Sequence, residues 1–197
     1  MAINRDPVLK KCRSLGIEPA FLGYSKSSKK KPNVSRRKVS EYSLQLKEKQ
    51  KTKFVYGVLE KPFRRYFEMA SNKKGITGDN LLQILESRLD NVVFRLGYGT
   101  TRAQARQFVN HGLFTVNGKK VDIPSYLVKP GDEISVRETK KEYAIIKEVA
   151  EANNTRLVPK WLEKNLDNLS GKVITLASRE DIDIPVEEHL IIELYSK

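Results

Sequence analysis

The stretch Thr100–Gly118, TTRAQARQFVNHGLFTVNG, holds a helix and the turn of a β-hairpin, and the rest of the chain is organised around it. Thr101 offers a side-chain oxygen to an orphan helix N–H, Gln104 follows as the partner of a capping box, and Gly112 marks the stop. Between them Ala105, Phe108 and Val109 form an apolar side. Arg102, Arg106 and Asn110 recur every four residues along a second face, left for binding. The chain then runs Phe114-Thr115-Val116, Asn117-Gly118 and Val121-Asp122-Ile123. Asn-Gly between alternating apolar residues predicts a two-residue hairpin that carries Lys119 and Lys120 close to the helix.

Charge gives this element a meaning. Residues 92–130 hold six basic residues (Arg95, Arg102, Arg106, Lys119, Lys120, Lys129) against Asp122 alone, a bias that attracts polyanions. The whole chain carries 37 Lys and Arg against 24 Asp and Glu, a net charge of +13. Residues 1–75 contain 20 basic and 6 acidic residues, so the excess is N-terminal. That segment lacks the sustained apolar helix face of a membrane binder. Tyr56, Phe63, Tyr66 and Phe67 alternate with Lys61, Arg64 and Arg65, and rings interleaved with cations suit nucleic acid.

The 197 residues suffice for two compact units. No apolar run reaches the length of a membrane span, and MAINRDPVLKK lacks the pattern of a signal or import peptide. The expected location is therefore the compartment of synthesis. Cys12 is the single cysteine, which leaves no disulfide framework and no thiolate cluster, and predicts a buried free thiol.

Residues 24–40, YSKSSKKKPNVSRRKVS, are basic, with little to bury, and read as extended or disordered until a partner supplies counter-charge. From Val39 to about Gln50 the pattern is helical and polar, with Lys47, Lys49, Lys51 and Lys53 making a basic surface. Lys61–Ala70 reads as a short helix that packs Phe63, Phe67 and Met69 and turns Arg64 and Arg65 outward. Thr77–Leu96 reads as one helix bridging the two units, with Asp79 as a cap candidate, Gly97 beyond its end, and Leu81, Leu82, Leu85, Leu89, Val92, Val93 and Leu96 at intervals of three and four. Pro130-Gly131 turns the chain into a strand at Glu133–Val136. Tyr143, Ile146, Val149 and Ala150 line a helix that ends near Asn153. Trp161-Leu162 and Lys172–Leu176 read as strands across a polar loop containing Ser170-Gly171. Pro185–Lys197 places Val186, Leu190, Ile191 and Leu194 at helical spacing, and Glu187 and Glu188 suit its first turn. This last helix is expected to return to the N-terminal unit.

The run Arg88–Glu138, RLDNVVFRLGYGTTRAQARQFVNHGLFTVNGKKVDIPSYLVKPGDEISVRE, resembles the RNA-binding module that takes its name from ribosomal protein S-four, the fourth protein of the small ribosomal subunit. The module also occurs in some pseudouridine synthases, tyrosyl-tRNA synthetases and small stress proteins. The flanks Lys53–Ala70, KFVYGVLEKPFRRYFEMA, and EEHLIIELYSK at the C-terminus are similar to the ribosomal protein itself. On these residues the chain is identified as a member of the bacterial-type ribosomal protein S-four family. The resemblance implies an α+β fold: a basic extension over 1–45, a helical rRNA-binding domain over 46–91 completed by 177–197, and an inserted α+β domain over 92–176 carrying the module and a small antiparallel sheet.

Members of that family bind the 5′ domain of small-subunit rRNA, nucleate assembly of the subunit body, and affect accuracy with neighbouring proteins, the fifth small-subunit protein in particular. They also line the messenger entry channel. Carried onto this chain, the RNA-binding positions are Arg36, Arg37, Lys49, Lys53, Tyr56, Lys61, Arg64, Arg65, Arg102, Arg106, Gln107, His111, Asn117, Lys119 and Lys120. Many relatives begin with a cysteine-rich zinc knuckle, whereas this chain has Cys12 alone. It resembles the zinc-free branch, so no metal and no cofactor are expected. The resemblance implies a monomer within the small subunit, in the cytoplasm or in an organelle with its own ribosomes.

The rival is an RNA-modifying enzyme anchored by the same module. It would need a catalytic domain, and the residues outside the module are basic and poor in His and Cys. Asp90 and Asp122 read as helix and turn carboxylates, and His111 and His189 are too far apart in the pattern to suggest a pair. No catalytic residue is expected. A free-standing regulator of messenger RNA is a second rival.

Overall fold

The computed structural model describes residues 7–26, 30, 40–166 and 168–196. The chain divides into two compact units, Met1–Leu82 with Asp183–Lys197, and Gln83–Ile182. The fold is α+β: among the described residues, the first unit is helical, and the second combines helices with a five-stranded antiparallel sheet.

In the first unit α1 (Val8–Leu15) stops at Gly16 and buries Cys12 and Leu15, and burial pushes the Cys12 thiol pKa up. A longer helix, α2 (Glu41–Tyr56), starts where the Ser40 hydroxyl accepts from the N–H of Ser43 at 3.3 Å. It ends at Gly57, whose φ of +63° is open to glycine at little cost. The next helix, α3 (Glu60–Ser71), buries Phe63, Tyr66 and Ala70. Its packing differs from the sequence reading in one respect. Met69 is 41 % exposed, while Tyr66, three residues after Phe63, takes the inward position.

The Leu-rich stretch does not form one helix. It divides into α4 (Thr77–Glu86) and α5 (Leu89–Arg95). At the break the backbone leaves its helical pattern and binds a loop within the same unit. The Ser87 carbonyl accepts from Val128 N–H at 2.9 Å, Leu89 N–H donates to Tyr126 O at 2.8 Å, and Asp90 N–H donates to Pro124 O at 3.1 Å. Apolar periodicity continues through the break, and Leu81, Leu82, Leu85, Leu89, Val92, Val93 and Leu96 are all fully buried. Asp79 falls inside the first turn of α4 instead of preceding it.

The second unit continues with α6 (Arg102–Asn110), β1 (Phe114–Val116), β2 (Lys119–Lys120), β3 (Glu133–Val136), α7 (Ala144–Ala152), β4 (Leu162–Asn165) and β5 (Ser170–Val173). The sheet order is β2-β1-β3-β5-β4, with every pairing antiparallel. Register pairs Phe114 with Val136, Val116 with Ile134, and Leu162 with Val173, so one sheet face is apolar and buried. The last two strands lie several residues from their sequence reading. The "polar loop" residues Ser170 and Gly171 are in β5, because Gly171 lets the strand lie against Leu96, whose Cδ atoms would sit 2.5–2.6 Å from any Cβ there. Ile174 and Leu176, read as strand, are instead exposed. Tyr143 precedes α7 and is exposed, while Ile146, Val149 and Ala150 are buried.

The final helix, α8 (Glu188–Tyr195), packs on α2 and closes the first unit. The segment leading into it is strung along α2. Lys51 Nζ donates to Pro185 O at 2.8 Å, Glu187 N–H donates to Glu48 Oε2 at 3.2 Å, and the fully buried Gln45 donates to Glu193 at 2.9 Å.

Candidate nucleic-acid interface

The helix α6 is capped as its sequence requires, with one shift. The Thr101 hydroxyl accepts from Gln104 N–H at 3.2 Å, but the Gln104 carboxamide accepts from the N–H of Thr100 at 2.7 Å, one residue earlier than a capping box would place it. Gly112, at φ +64°, follows the helix end. Ala105, Phe108 and Val109 are buried as their spacing predicts.

The opposite face is not uniformly free, which corrects the reading of Arg102. This side chain is buried: Nε donates to Asn91 Oδ1 at 2.8 Å, and the guanidinium lies 4.3 Å from the centre of the Phe94 ring. It belongs to a network of polar groups that runs from the end of α4 along α5. Asn91 donates to Glu86, Arg95 forms a two-point pair with Glu86, and Arg88 forms a two-point pair with Asp90. Arg106 is half-buried and reaches the same Asp90 at 3.4 Å, so its position is set by a carboxylate behind it. Arg156 also lies over the Phe94 ring, 4.5 Å from its centre, and donates to the carbonyls of Phe94, Gly99 and Thr100. Alternation of Arg, Asp, Asn and Arg along residues 88–95 was the sequence signal for this network.

Beyond Arg106 the surface opens. Gln107, Asn110 and His111 are exposed at the end of α6, and so are Lys119 and Lys120 on β2. The turn between β1 and β2 has Asn117 at φ +50° and Gly118 at φ +75°, the positive-φ pair of a type I′ turn. Pairing ends sooner than the sequence suggested, with one further bond from Val121 N–H to Phe114 O at 3.3 Å. The Asn117 side chain is occupied in holding the turn: its Nδ2 donates to Asp132 at 2.8 Å, and its Oδ1 accepts from Glu133 N–H at 2.9 Å. The Lys120 stem crosses Gly112, bringing the hairpin lysine beside the end of α6.

In the other unit, Lys61, Arg64 and Arg65 are exposed on α3, and Arg64 makes only a loose pair with Glu68 at 3.6 Å. Tyr56 is 3 % exposed and belongs to the core, which corrects its reading as a surface ring. Lys49 and Lys53, one turn apart on α2, converge on the two oxygens of Glu60 at 3.0 and 2.6 Å, and Tyr195 OH donates to the same carboxylate at 2.9 Å. Burial alone would raise the Glu60 pKa, but the hydrogen bonds from Lys53, Lys49 and Tyr195 and the Lys53 charge hold it at about 2. Burial, followed by the Glu60 bond and charge, pushes the Tyr195 hydroxyl well above its usual range. Glu60 was missed in the sequence, where the signal was an isolated acid between Glu48 and Glu68 in a stretch otherwise basic. Arg36 and Arg37 lie outside the described residues.

Residues 4–86 match the family described as ribosomal protein S4/S9 N-terminal domain, and residues 87–134 match the S4 domain. Among curated relatives, the small ribosomal subunit protein uS4 of Agathobacter rectalis is 58 % identical over 197 residues, covering 100 % of both chains. The protein of the same name from Lachnospira eligens is also 58 % identical over 197 residues with full coverage of both. That of Lachnoclostridium phytofermentans is 54 % identical over 198 residues, again with full coverage. With capped helix, hairpin and helical unit in place and similarity along its whole length, the chain belongs to the uS4 family of small-subunit ribosomal proteins, structural constituents of the ribosome and not enzymes.

Proposed function

We propose that this protein is a primary binder of the 5′ domain of small-subunit rRNA, that it nucleates assembly of the subunit body, and that it contributes to translational accuracy with neighbouring proteins. The observation that carries this reading is a set of exposed donors in each unit: Gln107, His111, Lys119 and Lys120 around the α6–hairpin corner of the second, and Lys61, Arg64 and Arg65 on α3 of the first. A-form RNA offers phosphates and 2′-hydroxyls rather than base edges, and fixed cationic surfaces of this kind suit it. Arg106, Lys49 and Lys53 complete the phosphate-facing set, with Arg36 and Arg37 extending it. Arg102, Tyr56 and Asn117 contribute by holding the frame. The fifth small-subunit protein and the messenger at the entry channel are the further partners of this reading. Its setting is the cytoplasm, or an organelle with its own ribosomes.

The test is a salt-dependent titration of the full chain against a 5′-domain fragment of small-subunit rRNA, with equal-mass transfer RNA as competitor. If about eight cations neutralise phosphates, the log–log slope should be on the order of −5 to −7. Binding that survives the competitor supports the proposal, and equal affinity for both RNAs overturns it.

A further inference from the structure

The Glu60 cluster has the form of an anion site that is already filled. Three donors from two helices, Lys49 Nζ, Lys53 Nζ and Tyr195 OH, lie within 3.0 Å of one carboxylate. The two lysine side chains are only 13 % exposed, whereas that of Glu60 is 48 % exposed. The lysine donors are thus sheltered while the acceptor faces solvent. Tyr195 is fixed from behind by stacking on Phe67, with ring centres 4.6 Å apart, and Lys49 lies 5.3 Å from the centre of the same tyrosine ring. Exposed Lys61, Arg64 and Arg65 follow Glu60 directly on α3, so a polyanion drawn to them reaches this cluster.

We propose that Glu60 is an internal stand-in for a phosphodiester: it fills an RNA phosphate site made by Lys49, Lys53 and Tyr195, and a backbone phosphate displaces it on binding. The proposal rests on the RNA-binding reading above. An intramolecular carboxylate competes at high effective concentration. A phosphate that arrives alone does not displace it, whereas one anchored by further contacts on the same strand does. Glu60 therefore acts as a specificity-determining residue, suppressing weak encounters with arbitrary RNA more than it weakens the intended complex. It also keeps the lysines ordered, so that less side-chain freedom is lost on binding.

The experiment compares the full-length wild type with Glu60→Gln, Glu60→Asp and the triple variant Glu60→Gln with Lys49→Gln and Lys53→Gln. Each is titrated against the 5′-domain rRNA fragment and against transfer RNA. Glu60→Gln should bind transfer RNA tighter by roughly three- to tenfold, the scale of releasing two partly exposed ion pairs. Its preference for the rRNA fragment should shrink, and the gain should vanish in the triple variant. A folded Glu60→Gln protein whose affinity for transfer RNA is unchanged or weaker overturns the proposal and marks Glu60 as structural glue only. Should Glu60→Gln fail to fold, Glu60→Asp, which retains the charge but is one methylene shorter, is read alone: tighter transfer RNA binding supports the proposal, and unchanged or weaker binding overturns it. Failure of the wild type to prefer the rRNA fragment would instead count against the RNA-binding reading itself.

Discussion

Arg102 Nε lies 2.8 Å from Asn91 Oδ1, and this bond fixes the first residue of α6 to the middle of α5. Arg102 and Arg106, one helical turn apart and alike in sequence, therefore play different parts. Arg102→Ala should lower stability by about 3 kcal/mol, through loss of a buried charged hydrogen bond and of packing on Phe94. Arg106→Ala, at a half-buried pair, should cost under about 1 kcal/mol of stability. It should weaken rRNA binding by roughly 1–3 kcal/mol. Urea unfolding and RNA titration of both variants separate the two roles, and equal loss of stability would refute the distinction.

Glu60 makes acid sensitivity traceable to one group. Its pKa is lowered from 4.5 to about 2 in the folded protein, so its contribution to stability is fully present above its unfolded pKa and is lost as pH falls through the folded value. Urea midpoints of the wild type should therefore fall between about pH 5 and pH 2 more steeply than those of Glu60→Gln. Parallel curves would show that the ion cluster contributes nothing to folding.

Two glycines should respond differently to the same methyl group. At Gly118 the φ is +75° and nothing lies within 4 Å of a Cβ, so Gly118→Ala carries only the backbone cost of about 1–2 kcal/mol. At Gly171 the methyl meets both Cδ atoms of Leu96 in a packed core, so Gly171→Ala should cost roughly 1–3 kcal/mol with visible repacking. Chemical-shift changes confined to the hairpin in the first variant, and spreading through the Leu96 surroundings in the second, are the expected pattern.

Lys164 sits on β4 in register with Gly171, on the buried side of an edge strand. Its Nζ is buried without a hydrogen-bond partner, 5.6 Å from the centre of the Tyr98 ring, and its pKa is lowered by burial and then by the Arg156 charge. Lys164→Met keeps the stem and removes the desolvated ammonium, so it should stabilise the protein by about 1 kcal/mol at neutral pH. The gain should shrink as pH rises toward the unfolded lysine pKa, because deprotonation relieves the same penalty. A less stable methionine variant would mean that the ring contact outweighs the burial.

Local signals in the sequence carried most of the architecture. Thr101, Gly112, Asn117-Gly118 and Pro130-Gly131 each mark an end or a turn by chemistry within a few residues, and the structure places those ends accordingly. Errors arose where a distant segment decides. The helix breaks at Ser87-Arg88, where the backbone of residues 87–90 pairs with residues 124–128, and nothing in the local spacing shows this. The strand at Ser170–Val173 depends on Leu96 lying across Gly171. The candidate site divides in the same way. The exposure of Lys61, Arg64 and Arg65 follows from helical patterning, and that of Lys119 and Lys120 from the Asn117-Gly118 turn. Arg102 has the same residue character as Arg106, one turn away, and only three-dimensional packing shows that it and Tyr56 are inside.

The packing of α8 on α2 sets an order of events during synthesis. Everything the second unit needs, from Gln83 to Ile182, leaves the ribosome before α8 does. The sheet unit can therefore be complete while α2 still lacks the partner that covers Gln45 and supplies Tyr195 to Glu60. A newly made chain thus completes its lysine-bearing hairpin first, and its lysine-rich helix α2 reaches its final arrangement only when residues 188–195 arrive.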